Sequence, residues 1–484
     1  MGAHHSDRPT RSTRRTFLSA SAAATAATVA APLTAAPASA QDPTPDVVVP
    51  AGPGRLVRPQ PPDRELRALL REVDRNRIEA TVRRLAAFGT RHTLSSQDDP
   101  VRGIGAARDW IHRQLTGYAA ASGGRMTVEL QSYVQEPAPR IPVATRITNV
   151  VATLRGDTSP GRVYVVTGHY DSRASDVSDA VSDAPGADDD ASGVAVLMEL
   201  ARVMATRHTG ATVVFAAVAG EEQGLYGSTY LAKQLKAAGA DVQGMFSNDI
   251  VGSSTADDGT RDPRAVRLFA EGVPTAETPA EASTRQSVGG ENDSPSRQLA
   301  RFVGDVAENG ATGMRIRVVY RRDRYLRGSD HIPFLREGWP AGRFTEPNED
   351  FAHQHQDVRV VDGRQYGDLP EFCDFDYITR VALVNGATLW SLAQAPGTPK
   401  DVTIVTTNLT NDTTLRWRRG DEADLAGYEV VWRETTAARW QKVIDVGDVT
   451  EVTVDLSKDN VFFGVRAVDR AGHRSPVAFP KPGS

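Results

Sequence analysis

Apolar residues recur at three- and four-residue spacing from Arg64 onward: Leu66, Leu69, Leu70 and Val73, then Ile78, Val82 and Leu85. That period predicts amphipathic helix. "RGIGAARDWIHRQL" (Arg102 to Leu115) repeats it. The pattern then changes. "VYVVTGHYDS" opens on an unbroken apolar run, Val163 to Val166, as in a strand buried on both faces. "SGVAVLMELARVMA" puts Val194, Leu197, Met198 and Ala201 on one helical face. Thr212 to Val218 reads as another buried strand, "LYGSTYLAKQLKAA" as helix, and "VQGMFSNDIVG" as a strand ending at Asp249. Strands alternating with helices predict an α/β fold, a three-layer sandwich around a mostly parallel central sheet.

Residues 253–300 are polar and Gly-rich, and predict a surface excursion around one strand, "VRLFAEG". "MRIRVVYRRDRY" is a further strand, and a helix from about Tyr377 to Gln394 closes the domain. After the linker "QAPGTPKD" come short alternating strands, "TTLRWR", "AGYEVVWRET", "EVTVDL" and "VFFGVRAV". Their regular spacing predicts an all-β sandwich. The expected domains are an α/β domain over 61–395 and a β-sandwich over 400–480. Residues 41–60 are Pro-rich without periodicity, a linker or short pro-segment. Residues 1–40 have the three parts of an export signal: paired arginines in "TRRTFL", an Ala-rich stretch, and an A-x-A ending at Ala40. Twin-arginine export implies a secreted or periplasmic protein with no membrane anchor after cleavage.

Composition adds exclusions. The 484 residues carry a formal charge of -5, so there is no basic footprint for nucleic acid. Cys373 is the one cysteine, so no intrachain disulfide forms. Its neighbours Phe372, Phe375 and Tyr377 predict a buried, inert thiol.

The chemistry gathers where strands end. In an open α/β sheet, ligands sit beyond the carboxyl ends of the strands. His169, Glu221, Glu222 and Asp249 each follow a strand's last apolar residue. Asp171 lies two residues past His169, and "PGADDDASG" sets Asp188, Asp189 and Asp190 in a row. "FAHQHQD" adds His353 and His355. Imidazoles and carboxylates without cysteine are the ligand set of a catalytic zinc or related divalent site. Converged carboxylates without cations would repel one another at a cost of several kcal/mol. Each motif alone has a plainer reading: a surface His–Asp pair, a helix-capping Asp cluster, a solvated Glu pair.

In this order, "GHYDS", "PGADDDASG", "AGEEQGLYGS", "NDIVG", "GSDHIPF" and "HQHQDV" resemble the co-catalytic zinc aminopeptidases of the secreted bacterial leucyl-aminopeptidase type, related to vacuolar aminopeptidase Y and glutamate carboxypeptidase. The resemblance spans roughly Arg64 to Gln394. It implies the zinc-exopeptidase fold and two zinc ions. His169 and Asp249 would bind one, Glu222 and His353 the other, and Asp189 would bridge them. Glu221 would be the general base for a water activated between the ions, and Asp171 would orient the His169 ring. His355 is the alternative to His353; the family's "H-T-x-x-D" pattern aligns on His353 with Asp357. Tyr325 and Arg327 are rivals for a transition-state stabiliser, and Asp330 with His331 reads as a structural hydrogen-bonded pair. Arg321, Arg322, Arg324 and Arg327 form either a salt-bridged edge or a basic wall for a substrate carboxylate. The implied activity is removal of N-terminal residues from peptides. A carboxypeptidase, a glutaminyl cyclase and a non-catalytic binding module are the alternatives on the same fold. The C-terminal part resembles a fibronectin type III domain through Trp417, Tyr428 and Phe462 to Ser475, and serves as spacer, surface- or polymer-contacting module, or partner of the catalytic domain.

Overall fold

The structure, a computed structural model, describes residues 50–407 and 409–483. The export-signal expectation over 1–40 and the linker up to residue 49 lie outside them.

The chain opens with a two-residue strand, β1 (Arg55–Leu56), and three helices, α1 (Arg64–Arg71), α2 (Arg75–Ala86) and α3 (Ile104–Ala120). Asp63 and Asp74 cap α1 and α2, accepting the amides of Leu66 and Asn76. There follow β2 (Met126–Gln135), β3 (Thr145–Leu154), β4 (Ser159–His169), α4 (Gly193–Ala205), β5 (Ala211–Val218), α5 (Glu221–Gly224), α6 (Tyr226–Ala237) and β6 (Asp241–Asn248). Next come β7 (Ala265–Phe269), α7 (Pro279–Ser287), α8 (Pro295–Ala307), β8 (Arg315–Val319), α9 (His331–Arg336), β9 (Ala341–Thr345), the hairpin β10 (Arg359–Val361) and β11 (Arg364–Tyr366), and α10 (Phe375–Gln394).

Eight of these strands make one sheet in the order β2-β3-β5-β4-β6-β9-β7-β8. The centre is parallel: β5, β4, β6 and β9 run the same way. Antiparallel β2 and β3 extend one edge, and the β9–β7 contact is also antiparallel. One face buries α4, α8 and α10 with Leu197, Phe302 and Leu389; the other buries α6 and α9 with Leu231 and Phe334. This is the α/β sandwich expected. Because β4, β5 and β6 are parallel, His169, Glu221 and Asp249 emerge at one end of the sheet.

Two expectations need correction. Residues 253–300 hold α7 and the start of α8 as well as β7. Ser294 caps α8 and Pro295 takes its first turn. The helix escapes notice because Arg297, Gln298 and Arg301 break its apolar stripe. They are buried all the same. Arg301 donates to the Ala438 carbonyl at 2.8 Å, and Gln298 accepts from Trp440 Nε1 at 3.0 Å. The second correction concerns the described end of the linker, residues 50–60. β1 pairs antiparallel with a strand of the C-terminal part, and Trp432 Nε1 donates to the Pro53 carbonyl at 2.9 Å.

That C-terminal part comprises β12 (Lys400–Val405), β13 (Thr413–Arg418), β14 (Leu425–Glu434), β15 (Lys442–Gly447), β16 (Glu451–Val454), β17 (Val461–Asp469) and β18 (Lys481–Gly483). Together with β1 they form two four-stranded sheets, β1-β15-β14-β17 and β16-β13-β12-β18. Trp417, Tyr428, Trp432 and Phe463 fill the core they share.

Candidate metal centre

The aspartate triplet sits in a tight turn, Ala187–Ser192, leading into α4. Gly186 has a left-handed φ of 51°, and a side chain at Gly193 would place its Cβ 2.3 Å from the Asn248 carbonyl oxygen. The Asp189–Asp190 peptide is cis. The three carboxylates point to different partners. Asp190 accepts the amides of His169 at 2.9 Å and Gly193 at 3.0 Å, tying the turn to the end of β4. Asp188 accepts the Gly252 amide at 2.6 Å, and burial pushes its pKa up to about 7. Asp189 alone faces the imidazoles: Oδ1 lies 3.0 Å from His169 Nε2, and Oδ2 lies 2.9 Å from His355 Nε2.

Among the described residues, two groups of side chains could hold a cation, His169–Asp189–Asp249 and Asp189–Glu222–His355. Within each, one ligand atom per residue lies within 4.8 Å of the others. Asp189 belongs to both, one oxygen to each imidazole.

The local bonding fits metal ligation. His169 Nδ1 sits 3.1 Å from the Asp171 carbonyl oxygen. A carbonyl only accepts, so Nδ1 donates, and the neutral ring turns a lone pair on Nε2 toward Asp189. Lone pair facing carboxylate calls for a proton or a cation between them. With the protein groups alone a proton takes the place. Burial opposes it, but Asp189, Glu221 and Asp190 outweigh burial and hold His169 well above its ordinary pKa. His355 is the same case on the other side. Its Nε2 is also 3.1 Å from Glu222 Oε1, and against burial Glu222 and Asp189 push its pKa up to about 10. Both positions select positive charge between imidazole and carboxylate, which is what a divalent ion supplies.

His169, Asp189, Glu222 and Asp249 therefore come together where the sequence places them, and Glu221 stands beside them at the N-terminus of α5. Burial is the main cause pushing its pKa well up, with Asp249 and Glu222 adding to it. His353 does not join. Its ring stacks on Phe372 with centroids 3.6 Å apart, and its Nε2 lies 3.7 Å from Asp350. His355 takes the position instead. Two residues on, the chain turns through a left-handed φ of 52° at His355, which motif spacing does not reveal.

Asp171 also acts differently from expectation. Its carboxylate is 3.7 Å from His169 Nδ1. It accepts instead the amides of Glu221 at 3.3 Å and Glu222 at 3.1 Å. The carboxylate thus fixes the turn that carries both glutamates, while the Asp171 carbonyl orients the ring. His331 bonds to the Arg322 carbonyl at 2.8 Å, not to Asp330. Tyr325 is 78% exposed under the Arg321 guanidinium, and Arg324 and Arg327 pair with Glu349 at 3.2 and 3.3 Å. For Arg324 and Arg327, the salt-bridged edge is the reading the geometry favours.

Two supporting residues carry no signal in the sequence. Arg91, fully buried, donates to the carbonyls of Leu85, Tyr170, Pro185 and Gly186 and clamps the loop entering the triplet. Asp368 accepts the amides of Asp188 and Asp189, both at 2.8 Å. Each contact spans 79 residues or more, apart from that to Leu85.

The family model described as peptidase family M28 matches residues 149–359. A probable zinc metalloprotease of Leptosphaeria maculans is 57% identical over 428 residues, covering 88% of this chain and 99% of the relative. One from Pyricularia oryzae is 56% identical over 436 residues, covering 89% and 87%. Among solved structures, the Legionella pneumophila LapA aminopeptidase matches with a TM-score of 0.49 at 18% identity, over 68% of this chain and 74% of that one. The Porphyromonas gingivalis glutaminyl cyclase matches with a TM-score of 0.44 at 16% identity, over 66% and 98%. The two metalloprotease likenesses run nearly the full length of the chain, and with the motif region they show that the chain belongs to peptidase family M28.

Proposed function

We propose that the protein is an exported zinc-dependent aminopeptidase that removes N-terminal residues from peptides. The observation that carries this reading is the division of Asp189 between two imidazole–carboxylate groups, with Glu221 beside them. His169, Asp189 and Asp249 would hold one zinc, and Asp189, Glu222 and His355 the other. The names of the fungal relatives support zinc and proteolysis. Zinc so bound would supply a Lewis acid for the scissile carbonyl and lower the pKa of water to near neutral.

The chain's own residues do the rest. Glu221 pairs with no lysine or arginine among the described residues, so its carboxylate is available as a base. It takes a proton from the attacking water and returns it to the leaving amine. Asp171 accepts the amides of Glu221 and Glu222 and so fixes the turn that carries both the base and the ligand. The free α-amine of the substrate would be held by a zinc ion or by carboxylates near it.

The test is a panel of aminoacyl, N-blocked, C-terminally free and N-terminal glutaminyl substrates, before and after chelation and zinc add-back. Aminoacyl substrates turn over, chelation abolishes turnover, and zinc restores it. Turnover of N-blocked peptides from the C-terminus, or cyclisation of N-terminal glutamine, would move the assignment to carboxypeptidase or cyclase. Glu221→Gln lowers kcat by about 10²–10⁴-fold with zinc content unchanged; intact turnover in that variant would remove Glu221 as the base.

A further inference from the structure

Arg343 is fully buried in β9, the strand next to β6 in the sheet. One arm of its guanidinium donates to Asp249 Oδ1 at 2.8 Å and to the Asp249 carbonyl at 3.1 Å. The other arm reaches Asp323 Oδ1 at 3.3 Å and the Gly328 carbonyl at 3.4 Å. A buried guanidinium is tolerable only where anions offset its charge, and here Asp249 and Asp323 do so from either side. Asp323 is itself buried and accepts the Arg324 amide at 2.5 Å, so the far anchor is rigid.

The contact is one-sided. Asp249 Oδ1, the oxygen that Arg343 grips, is also the one nearest His169 Nε2, at 3.9 Å. A carboxylate oxygen has two lone-pair directions, so one guanidinium bond leaves a direction free toward the imidazole. On the other half, no lysine or arginine among the described residues pairs with the Glu222 carboxylate, whose charged partner there is His355.

We propose that Arg343 is the positioning residue for Asp249: its fork fixes Asp249 Oδ1 toward His169 and sets the affinity of the His169–Asp189–Asp249 half for a divalent ion, leaving the Glu222–His355 half untouched. This rests on the metal reading above. Arginine suits the task where lysine would not, because a planar fork fixes two acceptors at once while an ammonium is a rotating point charge.

The experiment measures bound zinc per chain in zinc-buffered solutions for the wild type, Arg343→Lys, Arg343→Met and Asp323→Asn, with the melting temperature of each chelated protein alongside. The wild type binds two zinc ions. Both Arg343 variants keep one binding step at wild-type affinity and weaken the other about 10–100-fold, the usual loss on removing a partner of a ligand. Asp323→Asn, which removes the negative charge facing the far arm and leaves the Asp249 contact, gives a smaller loss in that same step and covers the case in which Arg343 variants fail to fold. Equal weakening of both steps, or none, overturns the proposal. So does wild-type affinity in Arg343→Lys, which would make charge and not the fork responsible. A wild type that binds no zinc would overturn the metal reading itself, whereas two zinc ions held regardless of Arg343 and Asp323 would overturn this inference alone.

Discussion

Asp188, Asp189 and Asp190 carry the same side chain into three environments. Asp190 is bound by amides and Asp188 by the Gly252 amide, whereas Asp189 Oδ1 and Oδ2 face two histidines. Only at Asp189 does the negative charge lie between groups that a cation would join. Asp189→Asn therefore removes metal from both halves, and zinc analysis after dialysis finds a chain stripped of it. Asp188→Asn keeps its zinc, because an amide oxygen still accepts from Gly252 and Asp188 belongs to neither group of side chains that could hold a cation. The two histidines divide in the same way. His355→Ala loses one zinc step by more than the ~10–100-fold typical of an indirect partner. His353→Ala keeps both steps and loses only the ring stack on Phe372, worth about 0.5–1.5 kcal/mol of stability. Zinc loss in His353→Ala with retention in His355→Ala would reverse the placement.

At the scale of the elements, β4 and β5 of the parallel core were legible because each holds a short, continuous apolar run with a ligand- or base-bearing residue just past it, whereas β9 was not, because Arg343 interrupts its five residues. Val163 to Val166 and Thr212 to Val218 announce themselves, and the ligand-bearing residues follow. α8 was not legible, because its polar residues are buried against a distant β-sheet that a local period cannot register. His355 was legible only as the alternative to His353, and Arg91, Asp368 and Arg343 were missed, for a related reason. Their placement depends on contacts made far along the chain or on one left-handed φ, and neither leaves a periodic trace. Glycine shows the same limit of local reasoning. Both Gly117 in α3 and Gly193 at the start of α4 sit in helix, where alanine is intrinsically better by about 1 kcal/mol. A Cβ at Gly117 meets nothing within 4 Å, so Gly117→Ala gains up to about 1 kcal/mol. A Cβ at Gly193 would meet the Asn248 carbonyl and the Asp190 carboxylate, at 2.3 and 2.6 Å. Gly193→Ala therefore destabilises by about 1–3 kcal/mol in denaturant titration, packing overriding propensity. Opposite signs at the two positions are the expected outcome; like signs would refute it.

For the whole molecule, the C-terminal sheets are fastened to the α/β part by buried charges. Asp293 bonds Arg301 of α8 at 2.8 Å and Arg433 of β14 at 2.6 Å, with all three side chains under a tenth exposed. Such a network makes the β-part a structural partner of the α/β part. A second fastening is open to titration. His473, beyond β17, bonds Asp469 at 2.7 Å through Nδ1 and Asp63, the cap of α1, at 3.1 Å through Nε2. Hydrogen bonds that His473 donates to these two carboxylates, against burial, push its pKa up to about 9; the bond from His473 holds Asp63 down to about 2. The imidazolium is thus favoured in the folded protein over the unfolded chain, whose histidine titrates near 6.5. A folded pKa above the unfolded one gives stability that is full below about pH 6.5 and is lost as pH rises through 9. The contribution is about 1–3 kcal/mol, since the ring remains partly exposed. Denaturant unfolding of chelated wild type and His473→Gln measures it without interference from metal. The stability difference is greatest near pH 6, shrinks between pH 6.5 and 9, and is nearly closed by pH 10. A difference that stays constant across that range would mean that His473 holds the two parts together by shape and not by charge.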